Sequence, residues 1–303
     1  MAELIPEATA LADVGRRDRQ EDSVIADFSQ GARLGLAVLS DGMGGHEDGD
    51  LASRVIAAEM FSELFFSGAQ PDALIREAPQ LFPSALEIAN RRLRTHAREG
   101  VVSDGSGGTV IAVAVVNGAL HWISVGDSPL YLWRDGLLLR LNEAHSMAAQ
   151  IDLMVRAGAL DPEEGRTHPQ RHWLTSAVTG AAIQAVDCPK SALALQPGDV
   201  VILASDGLNT LPDERIGEVI RRNRDVGSQR TAQALIEAVR EASAPDQDNV
   251  SVVAITLRAA EDPQPRPAPA AARPCRQGFG AVLGRLVDAL RAPARSGARQ
   301  ARP

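Results

Sequence analysis

Two stretches of this chain end an apolar run on the same tripeptide. LGLAVLSDGMGGH (34–46) stops on Ser-Asp-Gly at Asp41, and DVVILASDGL (199–208) does so at Asp206. Two more aspartates sit at the ends of apolar runs, Asp127 after WISVG and Asp248 just before NVSVVAI. A single Asp-Gly is an ordinary turn signal. Four carboxylates at the ends of four core strands can instead converge on one edge of the sheets, where isolated anions repel one another and are poorly solvated. The plainer alternative is that they splay into solvent as turn acids. If they converge, a divalent cation resolves the repulsion. The candidate donors are carboxylates and the Gly42 carbonyl, with no Cys or His cluster in competition. All-oxygen sites with room for water favour Mg2+ or Mn2+ over Zn2+. Two such ions a few Å apart can activate a water and neutralise a phosphoryl oxygen.

Near the N-terminus GRRDRQEDS (15–23) places Arg16, Arg17 and Arg19 just ahead of Glu21 and Asp22. Such a cluster is either a solvated surface or a phosphate clamp, since the guanidinium fork fits phosphate oxygens bidentately.

These residues need strands to carry them. Short β-like runs occur at 34–39, 109–116, 120–125, 130–133, 199–204 and 250–257. Asn117-Gly118 joins the second of these to the third, and Asp135-Gly136 follows the fourth, so hairpins and antiparallel pairing are expected. Helices are predicted over 50–66, from just after Pro83, and around Ala232, Leu235, Ile236 and Val239 with Ser228 as N-cap. The expectation is an α+β fold of two packed sheets with helices outside.

The chain has 303 residues, 45% of them hydrophobic and 3% aromatic, with a net charge of −8. That is enough apolar residue for a large aliphatic core. Eight arginines after residue 258 against three acids give the tail +5 and the remainder −13. An acidic body argues against nucleic acid as a partner and suits a cation. Cys188 and Cys275 match neither a disulfide framework nor a CxxC site. No signal peptide and no run long enough to span a bilayer is evident, so a cytoplasmic location is expected. The expected domains are a catalytic body at 1–258, a Pro/Ala/Arg-rich linker at 259–276, and a basic tail at 277–303. That tail could hold a short amphipathic helix able to meet a partner or an anionic membrane surface.

RRDRQEDS, DGMGGH, SGGTV, VGDS, ASDGL and DQDNVSV occur in an order and spacing that resemble the bacterial protein phosphatase 2C family, the metal-dependent PPM-type Ser/Thr phosphatases. The likeness covers about residues 9–257. It implies an α-β-β-α sandwich with a binuclear Mg/Mn centre between the sheets, where a metal-activated water hydrolyses phosphoserine and phosphothreonine in proteins and so opposes a Ser/Thr kinase. Carried over by motif, Asp41 bridges both ions, Gly42 lends its carbonyl, Asp206 and Asp248 complete the first ion's shell, and Asp127 matches a third, weaker site. Arg17 matches the arginine that binds substrate phosphate. Glu21 and Asp22 match carboxylates that hold metal-bound water, and the segment 145–180 resembles the family's flap. Some positions depart from the pattern. The family's GDSR is GDSP here, with Pro129; Ala144 replaces the usual Asp before His-Ser; Gly-Thr-Thr becomes Gly108-Thr109-Val110. Met43 stands where animal members place a His, while His46 sits where bacterial members usually have one; it is a candidate general acid, the alternatives being a packing or turn-stabilising role for His46 and protonation of the leaving group by metal-bound water. The alternatives are a non-catalytic phosphoprotein-binding module on the same fold, or a metal phosphoesterase for small molecules or nucleic acid.

Overall fold

Val110–Val116 is apolar throughout and every residue in it is buried, which in a strand requires cover on both faces. In the computed structural model, which describes residues 4–29, 34–44, 48–67 and 71–260, that cover is a second sheet on one side and helices on the other. The chain runs β1 (Leu4–Asp13), β2 (Ser23–Asp27), β3 (Leu34–Ser40), β4 (Gly42–Met43), α1 (Gly49–Ser67), α2 (Pro71–Arg98) and β5 (Gly107–Gly108). Then follow β6 (Val110–Val116), β7 (Ala119–Val125), β8 (Leu130–Arg134), β9 (Leu137–Arg140), α3 (Ala148–Arg156), α4 (Pro162–Arg166) and β10 (Leu193–Ala194). The last elements are β11 (Val200–Ala204), a 3-10 turn (Asp206–Thr210), α5 (Asp213–Asn223), α6 (Ser228–Ala242) and β12 (Val250–Ala259).

One sheet has the order β1-β12-β11-β8-β9 and the other β10-β7-β6-β3-β2, and the pairs within both are antiparallel. Alternation of side chains along each strand separates three layers of core. Ile111, Val113 and Val115 face Leu132, Leu203 and Val253 between the sheets. On its other face β6 presents Val110, Ala112 and Ala114 to Ile56, Met60, Phe82 and Leu93 of α1 and α2. The second sheet turns Val200, Ile202 and Val252 toward Ile216, Ile220, Leu235 and Val239 of α5 and α6. The result is the expected four-layer α-β-β-α sandwich. Both predicted hairpins form, with Asn117 (φ 48°) and Asp135 (φ 51°) in the left-handed region that Asn and Asp tolerate.

Two local expectations are corrected. The second helix does not start after Pro83; it begins at Pro71 and carries Pro79 and Pro83 inside it. An interior proline costs ~3 kcal/mol, but a stripe of Leu74, Ala78, Phe82, Leu86 and Leu93, all nearly inaccessible, runs through both positions. Large buried apolar side chains return roughly 1.5–3 kcal/mol each. Ser228 is not the N-cap of α6 but its first residue, after Gly227. Its hydroxyl donates to Glu7 Oε1 at 2.8 Å and lies 2.9 Å from Thr9 Oγ1, tying the helix to β1. β1 and β2 are additional to the strands read from the sequence. The tail and its expected helix, and Cys275, lie outside the described residues.

Candidate metal centre and cleft

In each Ser-Asp-Gly turn the three residues divide the work. Ser40 ends β3 with 0% exposure, and its Oγ donates to the Thr109 carbonyl at 2.7 Å. Thr109 N–H donates to the Asp41 carbonyl at 2.9 Å, and Asp41 N–H donates to Thr109 Oγ1 at 3.1 Å. A Cβ on Gly42 would lie 2.2 Å from the Gly49 carbonyl oxygen and 2.6 Å from that of Glu21. Ser205, also 0% exposed, donates through Oγ to Asp22 Oδ2 at 2.7 Å and accepts Ser251 N–H at 2.9 Å. A Cβ on Gly207 would come within 2.0 Å of the Asn249 carbonyl oxygen. Serine anchors the turn, glycine lets another backbone pass, and the aspartate between them is left to line a cleft.

Asp127 and Asp248 enter from neighbouring strand ends. Asp127 lies between β7 and β8, with its turn held by Arg140 Nη2 on its own carbonyl at 2.7 Å and by Asn142, whose side chain bonds Leu130 N–H, the Ser128 carbonyl and Ser124 Oγ. A cation thus reaches this turn from β9, although position 129 is Pro. Asp248 precedes β12. The next residue, Asn249, accepts Glu21 N–H at 2.7 Å and donates to the Val14 and Arg19 carbonyls, each at 2.9 Å. One buried amide therefore holds the loop that carries Arg17 and Glu21. Sequence reading missed Asn249; the available signal was a polar residue wedged between an acid and a largely apolar strand.

The cleft has a volume of about 730 Å3. Arg17, Glu21, Asp41, Gly42, Asp127, Asp206 and Asp248 line it, with residues of 172–184 along one wall. Asp22 sits behind the cleft, 9% exposed, against Ser205. Arg16 and Arg19 are exposed and stand outside it, as solvated surface. Arg17 reaches Asp248 Oδ2 at 2.6 Å. His46 lies outside the described residues; Met43 lines the cleft.

Burial and mutual repulsion dominate the electrostatics. Burial, then the charges of Asp22, Asp206, Asp127 and Asp248, hold the Asp41 carboxyl well above its usual range. Burial and the charge of Asp248 raise Asp206. Burial raises Asp127 to about 7, helped by Asp206 and opposed by Arg140. Asp22 is raised to about 6, chiefly by burial and against the pull of its Ser205 hydrogen bond. Burial and the charge of Asp248 raise Glu21. Asp22 Oδ1 is buried without a hydrogen-bond partner.

These residues fit an oxygen-loving divalent cation. The donors are carboxylates crowded into one concave surface, Asp41, Asp127 and Asp206 hold their protons more tightly than isolated acids, and one buried oxygen is unsatisfied. Among the described residues no three acidic, imidazole or thiol groups are already drawn into a formed cage. Arg17 on Asp248 offsets part of the negative charge there.

No family model matches the chain. A 2C-type protein phosphatase of Streptococcus pyogenes is 30% identical over 199 residues, covering 66% of this chain and 77% of that protein. The serine/threonine protein phosphatase PstP of Mycobacterium tuberculosis is 32% identical over 238 residues, 78% of this chain and 42% of PstP. The crystal structure of the PstP catalytic domain with two manganese ions superimposes with a TM-score of 0.67 at 28% identity, covering 84% of this chain and 99% of that one. The chain belongs to the bacterial protein phosphatase 2C family, the PPM-type Ser/Thr protein phosphatases. No described helix is long and apolar enough to cross a membrane.

Proposed function

We propose that this chain hydrolyses phosphoserine and phosphothreonine in proteins, opposing a Ser/Thr kinase, with Asp41, Asp206 and Asp248 as the metal-holding residues. The observation that carries the reading is the convergence of these three and Asp127 from both sheets on one cleft. The Gly42 carbonyl would join Asp41, and Asp127 would serve a third, weaker position. Mn2+ or Mg2+ bound there would supply an activated water and neutralise charge on the phosphoryl group. Arg17, on an exposed loop at the cleft, would bind the substrate phosphate through its guanidinium fork. Glu21 would orient water from the same wall, and Asp22, fixed by Ser205, would keep Asp206 in place from behind. Asn249 and Arg140 hold the two turns that must not drift. The leaving group would take its proton from metal-bound water or from His46.

The test is an assay of the purified chain on a phosphothreonine peptide and on p-nitrophenyl phosphate, with Mn2+ and with EDTA. Hydrolysis of both that depends on Mn2+ and is abolished by EDTA is the expected result. Binding of phosphopeptide without turnover under any metal would replace this reading with that of a phosphoprotein-binding module.

A further inference from the structure

Nothing in the proposed chemistry uses α2, yet α2 reaches the cleft. Asn90 interrupts its apolar stripe and is buried; its Nδ2 donates to the Ala181 carbonyl at 2.7 Å, and its Oδ1 accepts Gly180 N–H at 2.8 Å. One turn further on, Arg94 Nε donates to the Gly180 carbonyl. Gly180 and Ala181 lie between Thr179 and Ala182, both of which line the cleft. The last turns of α2 therefore stand at its rim.

From that rim a row of cations leads outward. Arg91, Arg94 and Arg98 are all exposed and share one helix face at i, i+3 and i+7. Arg92 is paired with Glu59 at 3.3 Å; among the described residues neither Arg91 nor Arg98 is in an ion pair. No acid occurs between positions 91 and 98. A single basic residue in the last turn would complement the helix dipole, but this row covers two turns on a body whose net charge is −13.

We propose that Arg91, Arg94 and Arg98 form a docking stripe for acidic residues flanking the phosphorylated residue of a protein substrate. The proposal rests on the phosphatase reading above. Charge complementarity selects the occupant. An acidic side chain is repelled by the aspartates of the cleft and attracted along α2, so the stripe sorts the flanking sequence while Arg17 receives the phosphate. Attraction at a rim acts mainly on association, so its effect belongs in kcat/KM and not in kcat.

The full chain with Mn2+ is given two phosphothreonine peptides of equal length, one with Asp and Glu beside the phosphoresidue and one with Ser and Gln there. The acidic peptide should be preferred. R91E/R98E should lower its kcat/KM roughly ten-fold, leave the neutral peptide and p-nitrophenyl phosphate unchanged, and lose its effect in about 0.5 M NaCl, where screening is strong. R91Q/R98Q should shift the same ratio in the same direction by less. Equal kcat/KM for the two peptides with the unmodified chain overturns the proposal, as does an equal loss on p-nitrophenyl phosphate. Loss of sedimentation with phosphatidylserine vesicles, with both peptides unaffected, would assign the stripe to a membrane instead. Absence of any Mn2+-dependent hydrolysis of p-nitrophenyl phosphate would remove the underlying phosphatase reading, and the proposal with it.

Discussion

Arg17 and Asp248 are 231 positions apart in the chain and meet in a 2.6 Å ion pair at the cleft. Their side chains are 57% and 42% exposed, so the pair adds little to stability. Its importance is positional: among the described residues, the one guanidinium lining the cleft rests on an acid proposed to hold metal.

Arg17→Ala should therefore chiefly raise KM. Losing a charged hydrogen bond of roughly 1.5–3 kcal/mol corresponds to about 10- to 150-fold. Steady-state kinetics on a phosphothreonine peptide check this. An unchanged KM together with weaker Mn2+ binding would make Arg17 a support for Asp248, with no phosphate to bind.

Asp41→Asn and Asp206→Asn keep shape and remove charge from the two facing turns. Turnover should fall by orders of magnitude in each, and calorimetric titration with Mn2+ should show weakened binding while the fold persists. Full metal-dependent activity in Asp206→Asn would remove that residue from the proposed site.

Asn249→Ala should both destabilise the chain and raise KM, because one amide makes three hydrogen bonds to the loop bearing Arg17. At ~1 kcal/mol net for each, a loss of roughly 2–4 kcal/mol is expected in denaturant unfolding. Asn249→Asp keeps the acceptor for Glu21 N–H and should recover part of the KM effect. Stability lost with no change in KM would separate the loop from substrate binding.

The crowded carboxylates also set a pH dependence. In the metal-free fold Asp22 and Asp127 titrate near 6 and 7, against about 3.9 for an unfolded aspartate. Between those values the folded form binds more protons, so stability falls as pH rises from about 4 through 7, by up to ~1.4 kcal/mol per pH unit for each group. Thermal melts in EDTA should show a declining Tm over pH 5–8, and saturating Mn2+ should flatten that decline, adding about 2.7 kcal/mol at a hundred-fold excess over Kd. An EDTA melt that rises with pH across this window would contradict the electrostatic picture.

The sequence made much of this legible because several signals are local. Asn117-Gly118 and Asp135-Gly136 specify their hairpins through left-handed backbone that few other residues accept, and the wholly apolar Val110–Val116 admits only a strand covered on both sides. What was not legible depends on partners distant in the chain. β1 alternates polar and apolar residues around Pro6, and it is a strand because it lies at the sheet edge along β12. Pro83 reads as a helix start until the buried stripe running past it is seen. Ser228 has the composition of a cap, but Glu7 and Thr9 are closer claims on its hydroxyl. The four aspartates could be named from their positions at strand ends; that Asn249 secures the Arg17 loop and Arg140 the Asp127 turn could not, since each bonds backbone of a different element.

The pairing of β1 with β12 joins the first described strand to the last over ten residue pairs. On the ribosome, β12 is made after every other described strand, and in the sheet it lies between β1 and β11. A nascent chain can assemble the β6–β7 hairpin and its helices early, but Arg17 meets Asp248 only once the final strand has emerged. Copies halted before that point thus carry an incomplete cleft, and the site is assembled only after Asp248 and β12 have been made.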